Sequence, residues 1–105
     1  MHQWINLTTR YGNTIANPTS EQLKSALQEI FSSKDDEHPD CWIECGTQAG
    51  ELHTLSVFSS GYAIFTRYSD FDMSEEIESR KLPAKDISSA QVLWTALINA
   101  RYGEL

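Results

Sequence analysis

Positive charge is scarce in this chain: eight lysines and arginines stand against fifteen aspartates and glutamates, a net charge of −7. A phosphate backbone is held by lysine and arginine, so this balance repels nucleic acid, and anionic membrane surfaces are disfavoured for the same reason. Long apolar runs are missing too. The longest, near Val92 to Ile98, falls far short of the roughly 20 residues a bilayer span needs. Met1-His2-Gln3-Trp4 lacks the basic residues and apolar core of a signal peptide, so the expected compartment is the cytoplasm. The five glycines are isolated turn residues, which excludes a glycine-rich phosphate loop.

Cysteine is limited to Cys41 and Cys45. Four residues apart on an extended strand, they share a face at about 13 Å, beyond disulfide reach. The nearest histidine, His38, lies across Pro39, so a metal set lacks ligands at useful spacing. The two cysteines are expected as small buried apolar residues. His2, His38 and His53 are scattered, and no Gly-x-Ser-x-Gly nucleophile elbow occurs. A carboxylate pair for acid–base chemistry could be drawn from the acidic stretches, but neighbouring acids in polar loops are ordinarily solvated. No enzyme, cofactor or metal is expected.

What the chain does have is segregated negative charge. Eleven of its fifteen acids fall in two stretches without lysine or arginine. The first holds Asp35, Asp36, Glu37, Asp40, Glu44 and Glu51; the second holds Asp70, Asp72, Glu75, Glu76 and Glu78. Such clusters attract cations and basic proteins from a distance. Asp70-Phe71-Asp72-Met73-Ser74 begins like a calcium loop, yet Glu75 stands where a glycine is needed and Lys81 where a bidentate carboxylate is needed.

With 40% apolar and 22% charged residues, the 105-residue chain has ordinary globular composition and is expected to form a single domain over residues 1–105. Gln3 to Arg10 alternates as a strand, with Ile5, Leu7 and Thr9 opposite Trp4, Asn6 and Thr8. Tyr11-Gly12-Asn13 supplies a turn. Thr19 and Gln22 form a capping box for a helix whose stripe is Leu23, Ala26, Leu27, Ile30 and Phe31. Cys41 to Thr47, Glu51 to Phe58 and Tyr62 to Tyr68 read as a three-strand meander, the last two joined by a compact turn at Ser59-Ser60-Gly61. Ser69 to Lys81 reads as acidic and irregular, with a short helix or strand around Glu76-Ile77-Glu78 as the alternative. A final helix is expected from a Ser88 cap with Gln91, carrying Val92, Leu93, Ala96, Leu97 and Ala100, widened by Trp94 and Ile98. The expected class is therefore α+β: an antiparallel sheet of about four to five strands packed on two helices, ordered β-α-β-β-β-(acidic loop)-α. If Ile5, Ile43, Leu55 and Val57 face the helices, Trp4, Trp42, Phe58 and Phe65 fall on the other sheet face.

The capped helix from Thr19-Ser20-Glu21-Gln22-Leu23 to Ile30-Phe31 is followed by Leu55-Ser56-Val57-Phe58-Ser59-Ser60-Gly61-Tyr62-Ala63-Ile64-Phe65 and closed by Leu82-Pro83-Ala84-Lys85-Asp86-Ile87-Ser88. In element order and texture this resembles the immunity proteins of bacterial contact-dependent inhibition and other polymorphic toxin systems. The resemblance implies a non-enzymatic inhibitor of a cognate toxin domain, frequently a nuclease, whose basic cleft an acidic partner matches. From charge and exposure, the expected partner-binding residues are Asp35, Asp36, Glu37, Asp40, Trp42, Glu44, Asp70, Phe71, Asp72, Glu75, Glu76 and Glu78. Trp42 and Phe71 serve as apolar anchors, and the two acidic stretches form one contiguous surface. The rival classes are an adaptor or chaperone-like module for a secreted effector, an oligomer subunit, and a small carboxylate-dependent enzyme.

Overall fold

In the computed structural model, residues 2–32, 40–47, 50–70 and 75–99 are described. They form strand β1 (His2–Thr8), strand β2 (Thr14–Ala16), helix α1 (Ser20–Ser32), strands β3 (Asp40–Thr47), β4 (Leu52–Phe58), β5 (Tyr62–Tyr68) and β6 (Glu76–Pro83), and helix α2 (Ile87–Ile98). One antiparallel sheet of six strands runs in the order β2-β1-β3-β4-β5-β6, and the class is α+β. Six strands slightly exceed the four to five expected, and β2 and β6 are the two that the expected element order did not contain.

The first additional strand, β2, is three residues long and pairs Thr14 to Ala16 with Thr8 to Asn6. Its reversal is closed by Gly12 N–H donating to the Thr9 carbonyl, with Gly12 at φ +85. The second, β6, occupies most of the segment expected to be irregular. Its charged residues do not prevent pairing, because an edge strand is bonded along one side only and charge there discourages further pairing. Glu78, Arg80 and Leu82 alternate with the more exposed Ile77, Ser79, Lys81 and Pro83.

Both helices lie on one face of the sheet, and the periodicities of the chain account for this. Leu23, Ala26, Leu27 and Ile30 of α1 are buried, with Phe31 partly so, as the stripe predicts. The capping box also forms: Gln22 N–H donates to Thr19 Oγ1 at 3.2 Å and Thr19 N–H to Gln22 Oε1 at 2.8 Å. At the other end of α1, Arg10 Nη1 donates to the Glu29 carbonyl at 2.6 Å. Glu29 O is among the last four helical carbonyls, which have no intrahelical donor and carry the negative end of the helix dipole.

The cap of α2 differs from expectation. Asp86, not Ser88, is the N-cap, and Ser89 closes the box from the N3 position. Ser89 N–H donates to Asp86 Oδ1 at 2.8 Å, and this bond holds the Asp86 carboxyl below its usual range. The buried stripe also differs from expectation. It centres on Trp94, fully buried with Ala90 and Leu97, while Val92 points to solvent at 66% exposure. A 200° turn separates residues 92 and 94 in a helix, so both cannot face the sheet. Trp94 takes the inner position and donates its Nε1–H to the Leu55 carbonyl at 3.1 Å.

Under the helices the sheet contributes Leu7, Cys41, Ile43, Cys45, Leu55, Val57, Ala63 and Phe65, all essentially inaccessible. Cys41 and Cys45 are free and buried, as their alternation with Trp42 and Glu44 implies. Burial pushes both thiols up to about 12, so they remain protonated and behave as small apolar residues. Phe65 corrects the expected facing. The three-residue turn closes with Phe58 opposite Tyr62, which sets Leu55 opposite Phe65 and brings Phe65 inside. No helix among the described residues is long and apolar enough to cross a membrane.

Candidate functional site

The face of the sheet turned away from the helices is built by every second strand residue. From β1 come Trp4, Asn6 and Thr8, from β3 Asp40, Trp42 and Glu44, from β4 Leu52, Thr54, Ser56 and Phe58, and from β5 Tyr62, Ile64, Thr66 and Tyr68. Register aligns them in rows: Thr8, Trp42, Ser56, Ile64 and Lys81 in one, and Asn6, Glu44, Thr54, Thr66 and Ser79 in the next. Trp4, Trp42, Phe58, Tyr62 and Tyr68 are half-buried rather than flat in solvent. Trp4 lies over Gly46, so close that a Cβ there would sit 2.2 Å from the indole Nε1. Phe58 and Tyr62 stack at 4.7 Å, and Lys81 Nζ rests 4.4 Å above the Tyr62 ring.

Between these groups opens a pocket of about 290 Å³ lined by Asp40, Trp42, Glu44, Thr54, Ser56 and Tyr68. The strand period places Asp40, Trp42 and Glu44 side by side on β3, and Trp42 Nε1–H donates to Glu44 Oε1 at 2.8 Å. Partial burial raises the Asp40 carboxyl above its usual range, opposed by a backbone hydrogen bond that lowers it. Among the described residues no lysine or arginine lines the pocket. The only such residue that the described strands carry on this face is Lys81, in the same row as Trp42 but three strands away, about 14 Å by strand spacing.

A larger groove of about 530 Å³ runs between β2 and α1. Thr19 and Gln22 in its wall cap each other, Thr9 Oγ1 is buried there without a hydrogen-bond partner among the described residues, and its lining does not combine acids with aromatic rings as the sheet face does. The open sheet face is therefore the stronger candidate.

The twelve expected partner-binding residues do not stay together. Asp40, Trp42 and Glu44 form the pocket. Asp35, Asp36, Glu37, Phe71 and Asp72 lie outside the described residues. Asp70, Glu75 and Glu76 fall at the opposite end of the strands, where Tyr68 pairs with Glu76 and Ser69 N–H donates to the Glu75 carbonyl. Glu78 is turned to the helix side, 3.1 Å from Arg80 Nε and 4.0 Å from Arg67 Nε. Asp40 thus lies apart from the second stretch, whereas Glu51 of the first stretch directly precedes Leu52, in the row that holds Tyr68 and Glu76. Asp40 starts β3 beside Phe58, whereas Gly46, Leu52, Tyr68 and Glu76 form the far row, about 20 Å along the strand.

Thr54, Ser56 and Tyr68 were not among the expected site residues, although β4 and β5 alternation marks them as sharing a face with each other's neighbours. Their missing signal is the register that brings them beside Trp42. On the helix side, His53 is buried with Nε2 3.7 Å from Glu51 and its ring stacked against Phe65. Among the described residues no group of three or more His, Cys, Asp or Glu could hold a metal ion. No family model, curated protein or solved structure matches this chain.

Proposed function

We propose that this chain is an immunity protein that binds a cationic toxin domain, a nuclease, in the cytoplasm of the producing cell. Its docking surface is the open sheet face around Asp40, Trp42 and Glu44. The observation that carries this reading is the charge pattern of that face: two carboxylates framed by half-buried aromatic rings, with no lysine or arginine among the described residues that line the pocket they share. A nuclease must hold an anionic substrate, so its cleft is basic, and an acidic inhibitor gains both encounter rate and specificity by matching it. Trp42 and Tyr68 supply the rigid apolar area typical of interface anchors.

Titration of the purified protein against the product of the gene immediately upstream tests the proposal. A complex is expected at micromolar concentration and low salt, weakening as salt screens the opposed charges. The absence of any complex under those conditions would sink it.

A further inference from the structure

We infer that the pocket of Asp40, Trp42, Glu44, Thr54, Ser56 and Tyr68 is a receptor for one guanidinium group, the end of an arginine side chain on the docked protein. Only the identity of that protein rests on the function proposed above; the chemistry of the pocket stands on its own lining.

Asp40 is partly withdrawn from water, with no cation to compensate it among the described residues that line the pocket. Thr54 is only 9% exposed, lines the same pocket, and makes no side-chain hydrogen bond among the described residues. The nearest cation the described strands offer on this face, Lys81, is seated on Tyr62. The acceptors are also held in place: Glu44 is fixed through one oxygen by the Trp42 indole, leaving its other oxygen for a second donor.

Size and shape select among cations. Asp40 and Glu44 are four residues apart on one strand, about 13 Å at the backbone, with Trp42 between them and bonded to Glu44. A guanidinium with donors on opposite edges spans roughly 8 Å from acceptor to acceptor. An ammonium is a compact, strongly hydrated point charge and cannot serve both carboxylates at once. The flat guanidinium also stacks on an aromatic face, which Trp42 and Tyr68 provide. A calcium or magnesium ion needs six or more oxygens converging at short range, and among the described residues no group of three or more His, Cys, Asp or Glu is placed to hold a metal ion.

The probe is N-acetyl-arginine amide, with N-acetyl-citrulline amide as its neutral twin and N-acetyl-lysine amide as the compact cation. The readout is the Trp42 indole N–H in nitrogen-edited NMR, with the Trp94 indole, bonded to Leu55 in the core, as an internal report on the fold. The arginine probe should shift the Trp42 signal saturably and leave Trp94 unmoved. Asp40→Asn and Thr54→Val should each keep the Trp94 signal, with Asp40→Asn weakening the response about tenfold to a hundredfold, as loss of a charged hydrogen bond does. An equal response to citrulline or lysine, or an unchanged response in Asp40→Asn, would overturn the assignment. So would a magnesium titration that moves Trp42 as strongly as arginine does. A positive arginine titration beside a failed toxin titration would remove the proposed partner and leave the pocket; the converse would leave the partner and remove the pocket.

Discussion

The two faces of the sheet treat charge in opposite ways. On the helix side, Glu78 lies between Arg67 and Arg80, and Arg80 in turn lies 5.2 Å over the Phe65 ring. On the open side, Asp40 and Glu44 share a pocket with hydroxyls and aromatic rings and, among the described residues, no cation. Equal acids in the sequence therefore have unequal consequences: one carboxylate is spent inside the molecule, and two are presented outward. What separates them is the strand period, because a shift of one residue moves a side chain from one face to the other.

The largest effect that tests this contrast concerns tryptophan. Trp94 is fully buried and bonded to Leu55, whereas Trp42 is half-buried on the open face. Trp94→Ala should destabilise the fold by about 3–5 kcal/mol, the range for emptying a core indole site. Trp42→Ala should cost far less stability while abolishing partner binding. Urea denaturation of the two variants measures the difference, and equal losses would mean that the open face is as structural as the covered one.

A smaller effect lies at Gly46, where the open face has its tightest packing. Gly46→Ala puts a methyl group into the Trp4 indole. Either Trp4 leaves its place or the β1–β3 pairing shifts, at about 1–3 kcal/mol by analogy with overpacked cores. Pairing the change with Trp4→Ala should recover most of the loss. If the single variant is as stable as the parent, Trp4 is not seated on the sheet.

These contrasts were only partly legible in the sequence, and the division follows the range of the interaction. The α1 cap and stripe are local, involving residues three or four apart, and Thr19, Gln22 and Leu23 announced them directly. The alternation of Cys41, Ile43 and Cys45 likewise fixed which side of β3 is buried. The α2 start was misread at Ser88 because a Ser with Gln three residues on has the form of a capping box, whereas Asp86 with Ser89 makes the one that forms. Phe65 was misplaced because its face depends on how a three-residue turn sets register, not on its neighbours. The far placement of Asp70 and Glu76 follows from the meander itself. The chain crosses the sheet three times between Asp40 and Asp70, and an odd number of crossings ends on the opposite side. Residue counting alone does not reveal this, since the two acidic stretches look equivalent until the crossings are followed. The pocket is less legible still. Thr54 and Tyr68 reach Trp42 only through pairings across β3, β4 and β5, which no local pattern specifies.

The smallest expected effect is also the sharpest test of the two faces, because it should differ in sign between them. Asp40 has its carboxyl raised by burial, so the charged form is disfavoured in the folded state. Between its unfolded and folded values the native state binds more protons than the unfolded chain. Its contribution to stability therefore falls as pH rises through that window, and the cost is fully present above the folded value. Asp40→Asn removes the cost and should stabilise the free protein at neutral pH by about 0.5 kcal/mol, the scale of a half-exposed position. The gain should vanish in acid, below both values, where the wild-type carboxyl is neutral. Glu78→Gln should do the reverse on the helix side. It leaves Arg67 and Arg80 facing each other without the carboxylate between them, and should cost about 0.5–1 kcal/mol, more at low salt than at high salt. Denaturation of both variants at neutral and acidic pH reads the signs. A loss of stability in Asp40→Asn at neutral pH would place a compensating cation beside Asp40 and remove the reason for the pocket to recruit one. A gain there with weaker partner binding would mean that the free protein carries an unpaired charge at a cost in stability, held ready for the docked arginine.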